Sequence, residues 1–343
     1  MAYTTIDKPS DYFNTVLYSG NGTAIGSGGQ AITGVGFAPD WTWIKERSST
    51  SPHKLLDTVR GATKELESSA TSAEATTAES LASFDSDGFT VGSNGAVNEN
   101  SQTYASWNWL AGGTASSNSD GSITSSVSAN TTAGFSICSW TGNSGTIGHG
   151  LGVKPDVIWI KSRQTANNWV VMHKGLGNMD TNILVLNTTG ASDNGGSGMA
   201  EPTSSVFTIT SGLAANDNNI GYVFAEKKGY SKFGSYTGNG NADGAFVYTG
   251  FKPAWVLVKR TDGADSWVMF DNKRNEFNPQ DKFLLADVTN AESTYVYCDF
   301  LSNGFKSRIP GASWNGSGMS YIYMAFAENP FVTAGTKAAG TAR

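Results

Sequence analysis

The chain has 343 residues, with 23 Lys and Arg against 29 Asp and Glu, and a formal net charge of −6. That balance excludes a nucleic-acid-binding surface, which needs clustered cations to neutralise phosphates. Only 15% of residues are charged, while 41 Gly, 10 Trp, 12 Tyr and 17 Phe favour strands joined by many turns over helices.

The start, Met1-Ala2-Tyr3-Thr4-Thr5-Ile6-Asp7, has neither a charged leader region nor an apolar one. No later segment approaches the roughly 18 apolar residues of a membrane span. The expectation is synthesis in a cytoplasm and no membrane insertion. From about residue 11 the first of three similar phrases begins: a Ser/Thr-Gly-Asn turn, a Gly-rich approach, Pro, an apolar run and Lys. Its residues are Ser19-Gly20-Asn21, Pro39, Trp41, Trp43, Ile44 and Lys45. The second copy has Thr141-Gly142-Asn143, Pro155, Trp159, Ile160 and Lys161, and the third has Thr237-Gly238-Asn239, Pro253, Trp255 and Lys259. Lys follows Pro by six residues each time, so the match is positional. Eight residues past each Lys stands His53, Trp169 or Trp267, and twelve past it Asp57, His173 or Asp271.

Within each copy the Pro-led apolar run reads as a strand buried on both faces. A second strand after a polar turn makes a hairpin with it. The segment from Lys64 to Glu79 is expected to be a loop with at most a turn of helix, because Leu66 is its single large apolar residue. A strand opening on Gly-Phe follows at Gly88-Phe89 and Gly304-Phe305, degraded to Val206-Phe207 in the second copy. Each copy closes on an aromatic strand, ending near Trp109, Glu226 and Glu328. The Ser/Thr/Gly-rich stretch 113–130 reads as a linker.

The fold class is therefore all-β, with three tandem β-sandwich repeats of jelly-roll or concanavalin-like type. The expected organisation is a first sandwich with its N-terminal arm at 1–112, the linker at 113–130, a second sandwich at 131–229, a third at 230–331 and a flexible tail at 332–343. Units near 100 residues are long enough for each to enclose its own core.

Candidate chemistry is thin. Asp85-Ser86-Asp87-Gly88 resembles half of a calcium loop, but the twelfth position is Ala96, which cannot ligate. His53, His149 and His173 lack metal-binding spacing. Glu226 and Glu328 sit at matching positions, as duplication predicts, whereas a glycosidase needs two carboxylates about one bond. The expectation is no catalytic residue, no metal and no cofactor, with the binding residues left open. The repeated tryptophans are expected to fill cores rather than stack on sugars. Lys45 with Arg47, Lys161 with Arg163, and Lys259 with Arg260 are expected to cap strands or pair with Asp57 and Asp271. Cys138 and Cys298, in different units, read as buried free thiols.

The opening Met1 to Phe13, the run Pro39-Asp40-Trp41-Thr42-Trp43-Ile44-Lys45-Glu46-Arg47-Ser48, the motif Asp57-Thr58-Val59-Arg60-Gly61-Ala62-Thr63-Lys64, the motif Ser83-Phe84-Asp85-Ser86-Asp87-Gly88-Phe89 and the ending Ala325-Phe326-Ala327-Glu328-Asn329-Pro330-Phe331 resemble a family of virion structural proteins of tailed bacteriophages of aquatic bacteria, cyanophages included. The second unit departs from the pattern, lacking the Asp-x-Val-Arg-Gly and Ser-Asp-Gly-Phe phrases. The resemblance implies a non-enzymatic tail-fibre or receptor-binding component with lectin-like domains. It would be located in the virion, be partnered by other virion proteins and contact host-surface glycan. A capsid decoration protein is the alternative within that class, and a carbohydrate-active enzyme with a concanavalin-like sandwich the alternative outside it. Sparse charge over many aromatic strands leaves faces to be covered, so a homo-oligomer, a trimer first, is expected.

Overall fold

The computed structural model describes residues 3–195 and 199–333, and the fold is nearly all antiparallel β. The expected tail at 332–343 lies, beyond Thr333, outside the described residues. Each unit contributes an inner sheet with the same four-strand core. In the first unit Phe13–Ser19 pairs with Thr103–Trp109, which pairs with Trp41–Glu46, which pairs with Lys54–Asp57. The second unit repeats this order with Phe135–Thr141, Asn218–Phe224, Val157–Ser162 and Val170–His173. In the third it is Ser231–Thr237, Ser320–Pro330, Phe251–Arg260 and Val268–Asp271. Register is kept as well: Trp41 opposes Trp109 and Asp57, Val157 opposes Phe224 and His173, and Trp255 opposes Phe326 and Asp271. Pro39 and Pro155 precede their strands, and Pro253 sits at a bulge inside its strand, where a missing N–H is tolerated.

The continuous apolar runs are explained by burial on both sides. Alternate residues serve two different cores. Trp41, Trp43, Trp159, Trp255 and Leu257 point into one central core shared by all three units. Their neighbours Ile44, Ile158, Ile160, Val256 and Val258 point outward into three separate clusters, each closed by an outer layer carrying Phe89, Phe207 or Phe305. Each unit is thus a sandwich on its outer side, but its inner face is completed by the other two. Rings link the units pairwise: Trp41 with Trp159, Trp109 with Trp255, and Phe224 with Phe326, at centroid separations of 6.0, 5.8 and 6.1 Å. The expectation of self-contained cores is corrected accordingly.

Head-to-tail hydrogen bonds close this arrangement into a ring at matched positions. His53 meets the Leu285 carbonyl of the third unit, Trp169 donates to the Glu67 carbonyl of the first, and Trp267 donates to the Val185 carbonyl of the second. Backbone amides repeat the pattern, with Ser51 on Thr289, Asn167 on Thr71 and Asp265 on Thr189. The segment after Leu66 is what reaches across. Leu66 is buried in the central core, and two short paired strands, Lys64–Glu65 and Ala75–Thr76, stand where a loop or helical turn was expected. The stretch 113–130 is not a linker either. It holds Ser116–Asn118 and Ser125–Asn130, which extend the second unit's sheet, because even small polar residues can pair along an edge.

Candidate functional site

Charged residues that the sequence brought forward are mostly consumed by the ring. Asp57 accepts from Arg60 at 2.5 Å and from the Tyr222 hydroxyl at 2.7 Å, and Arg60 reaches Glu74, which also holds Arg163 of the second unit. The same set recurs where the third unit meets the first: Asp271 with Arg274 and the Trp107 indole, then Glu292 with Arg47. The second unit meets the third without it. His173, Leu176, Ser192, Thr261 and Met324 occupy the five matched positions, and His173 bonds the Tyr323 carbonyl instead. Of the two roles expected of the repeated lysines, capping is the one found: Lys45, Lys161 and Lys259 donate to the carbonyls of Glu46, Ser162 and Arg260, the last residues of their strands, and do not pair with Asp57 or Asp271. All three are buried, and Lys161 and Lys259 also donate to the Thr71 and Thr189 carbonyls of the neighbouring unit. Burial lowers all three ammonium groups to about 8.

The three histidines are separate structural groups. Nδ1 of His53 accepts from the Trp43 indole and that of His173 from the Gly175 amide, so in each Nε2 donates to a carbonyl. Burial lowers both imidazoles, His173 to about 3. Asp87 accepts from the Gly34 and Gly36 amides, and Asp85 from Ser83 and Thr90, which explains the Ser-Asp-Gly-Phe phrase as a turn. Its Gly88 has φ +146°, and a Cβ there would lie 1.9 Å from the Ile32 carbonyl oxygen; Gly304 meets Val247 in the same way. Glu226 binds Lys174 and Lys232, and Glu328 binds Lys252. Cys138 and Cys298 are buried free thiols, Cys138 pushed up to about 12 by burial. All ten tryptophans are buried, so none offers a face to solvent.

What the surface does offer is concentrated in the third unit. Among the described residues, five of six exposed large apolar side chains lie there: Phe246, Tyr248, Phe277, Tyr295 and Val296. Phe246 and Tyr248 flank buried Val247 on the edge strand Phe246–Tyr248 and are 46% and 53% exposed. Alternation puts both rings on one face, beside Gly304 of the paired strand. Tyr248 also borders a cavity of about 300 Å³ lined by Tyr3, Glu226, Lys228 and Lys232, where the Tyr3 hydroxyl donates to the Gly250 carbonyl and the Lys228 ammonium lies 4.6 Å from the Tyr3 ring centre. The repeated tryptophans do not point to this pair. Register could have revealed it: the positions matched through Ile32, Ile147 and Val247 are Ala31 and Thr33 in the first unit and Thr146 and Gly148 in the second.

No described helix is long and apolar enough to cross a membrane. A family described as "Domain of unknown function (DUF7483)" matches residues 8–330, and the chain belongs to that family. The match runs through all three units. No curated protein and no solved structure matches the chain.

Proposed function

We propose that this member of the DUF7483 family is a non-enzymatic structural protein of a tailed-phage virion, a tail-fibre or receptor-binding component that contacts glycan on the host surface through its third unit. The observation that carries this reading is the concentration of exposed aromatic side chains on that unit. A monomeric surface seldom shows a clustered apolar edge without a partner for it, and aromatic faces bordered by ammonium and carboxylate groups suit the apolar and hydroxylated sides of a sugar. The sequence resemblance supplies the virion setting. The buried pairs Asp57–Arg60 and Asp271–Arg274 serve as interior struts, in keeping with a scaffold that presents a surface.

Gold-labelled antibody against the purified chain, applied to virions of a phage that encodes it, tests the setting; glycan-array binding by the chain and by Phe246→Ala/Tyr248→Ala tests the surface. Label on the tail, with array binding lost in the double variant, is the expected outcome. Label on the head would replace the fibre reading with capsid decoration, and array binding unchanged in the variant would remove the aromatic edge from the account.

A further inference from the structure

The strand Phe246–Tyr248 is the last in its sheet and has a paired strand on one side only. On that side the Ala245 carbonyl accepts from the Ser307 amide, and the Thr249 amide donates to the Asn303 carbonyl. Alternation turns Val247 the same way, toward Phe305, and leaves the N–H and C=O of Phe246 and Tyr248 pointing away from the sheet. In the second unit the matched outward groups belong to Thr146 and Gly148, and the chain itself covers them. Ile123 donates its N–H to the Thr146 carbonyl, the Ser122 hydroxyl accepts from the Thr146 amide, and the Ser125 hydroxyl donates to the Gly148 carbonyl. Among the described residues, none takes the place of Ser122, Ile123 and Ser125 along the third unit's edge. The usual protection of an edge is missing too. The strand carries neither Lys nor Pro, and Lys306, opposite Phe246, is ion-paired with Asp243.

We infer that this edge pairs with the same edge of a second copy of the chain, about a two-fold axis that passes between the two Val247 residues. Laid antiparallel on itself, the strand sets Phe246 opposite Tyr248 of the second copy at both ends. These are the residues whose backbone groups point outward, so each couple exchanges both of its N–H···O bonds. Each couple is also a Phe–Tyr cross-strand pair, which strengthens an antiparallel ladder. A strand that complements itself in backbone and side chain makes a closed, isologous contact. The first unit's matched edge has no second paired strand either, but it offers Ala31 and Thr33, with no ring to bury. Edge pairing leaves the ring faces open, so the dimer stands without the proposed function.

Sedimentation equilibrium of the whole chain, with hydrogen–deuterium exchange at high and low concentration, tests the inference. Wild type is expected to approach twice the chain mass as concentration rises, with the Phe246 and Tyr248 amides slowing in step. Phe246→Pro removes an outward N–H that the fold does not use, and Tyr248→Lys adds an edge charge; each is expected to return the monomer, while Ala31→Pro leaves the dimer intact. If Phe246→Pro does not fold, Tyr248→Lys decides. A monomer at every concentration, a trimer mass, or a dimer that survives the Phe246 and Tyr248 variants would overturn the inference. So would slow exchange at these amides that ignores concentration, since the edge would then be covered by its own chain. No glycan is present in these measurements, so their outcome and that of the glycan array are independent.

Discussion

The Tyr222 hydroxyl donates to the carboxylate of Asp57 at 2.7 Å, although the two residues are 165 positions apart. Trp107 does the same for Asp271 at 3.1 Å. Both carboxylates are fully buried, and each is tolerable only because a guanidinium and a donor from the neighbouring unit meet it. At the remaining junction the donor position holds Met324, and the carboxylate, its Arg and the Glu–Arg bridge are replaced together. The network is present as a set or absent as a set.

Removing one member should therefore cost what a stranded buried charge costs. Arg60→Ala is expected to destabilise by about 3–5 kcal/mol, and Tyr222→Phe by about 1–3 kcal/mol. Urea unfolding measures both, and values within about 0.5 kcal/mol of zero, as for ordinary surface changes, would show that the network carries no stability.

The third junction gives the converse. His173→Asp alone places a carboxylate opposite Met324 and should destabilise by about 3–5 kcal/mol. Adding Leu176→Arg and Met324→Tyr should recover part of the loss, so the three changes will be non-additive. Strict additivity in the same unfolding series would count against coupling across the junction.

In the central core, Trp159→Ala should cost about 3–5 kcal/mol. Trp169→Phe should cost less, about 0.5–1.5 kcal/mol for the lost bond to the Glu67 carbonyl. An unchanged thermal midpoint in Trp159→Ala would remove the shared core as the source of stability.

Stability should rise with pH in two windows. His53 and His173 are buried neutral, so between about 3, the lowered value of His173, and its ordinary 6.5 the unfolded chain binds more protons and acid destabilises the fold. Lys45, Lys161 and Lys259 are lowered from 10.5 to about 8, so the cost of burying their charge is relieved as pH climbs from 8. Buried Tyr18, Tyr222, Tyr230 and Tyr236 are raised above 10, which reverses the trend beyond that pH. Thermal midpoints from pH 4 to 11 are expected to peak between about 8 and 10, and a flat profile between 4 and 8 would contradict the buried histidines.

Much of the fold was legible because backbone needs repeat. The Pro-to-Lys interval, the Gly-Phe turn and the alternating apolar strands each report a local constraint, and each recurs in register. The way the units meet was not legible. Tyr222 and Trp107 look like any core aromatic in sequence, and Arg60 and Arg274 gain meaning only once Glu74 and Glu292 are known to reach across to Arg163 and Arg47. The linker expectation at 113–130 failed because Ser and Thr rich strands carry little apolar signal. Exposed Phe246 and Tyr248 were not legible because the repeat signal lies in residues the copies share, and these two positions differ between copies.

Three sandwich-like units share one core, so the chain should fold as a single body. Differential scanning calorimetry of the whole chain tests it most directly. One transition whose calorimetric and van't Hoff enthalpies agree is the predicted result; two or three resolved transitions, each with the enthalpy of a unit of about 100 residues, roughly 60–80 kcal/mol, would contradict it.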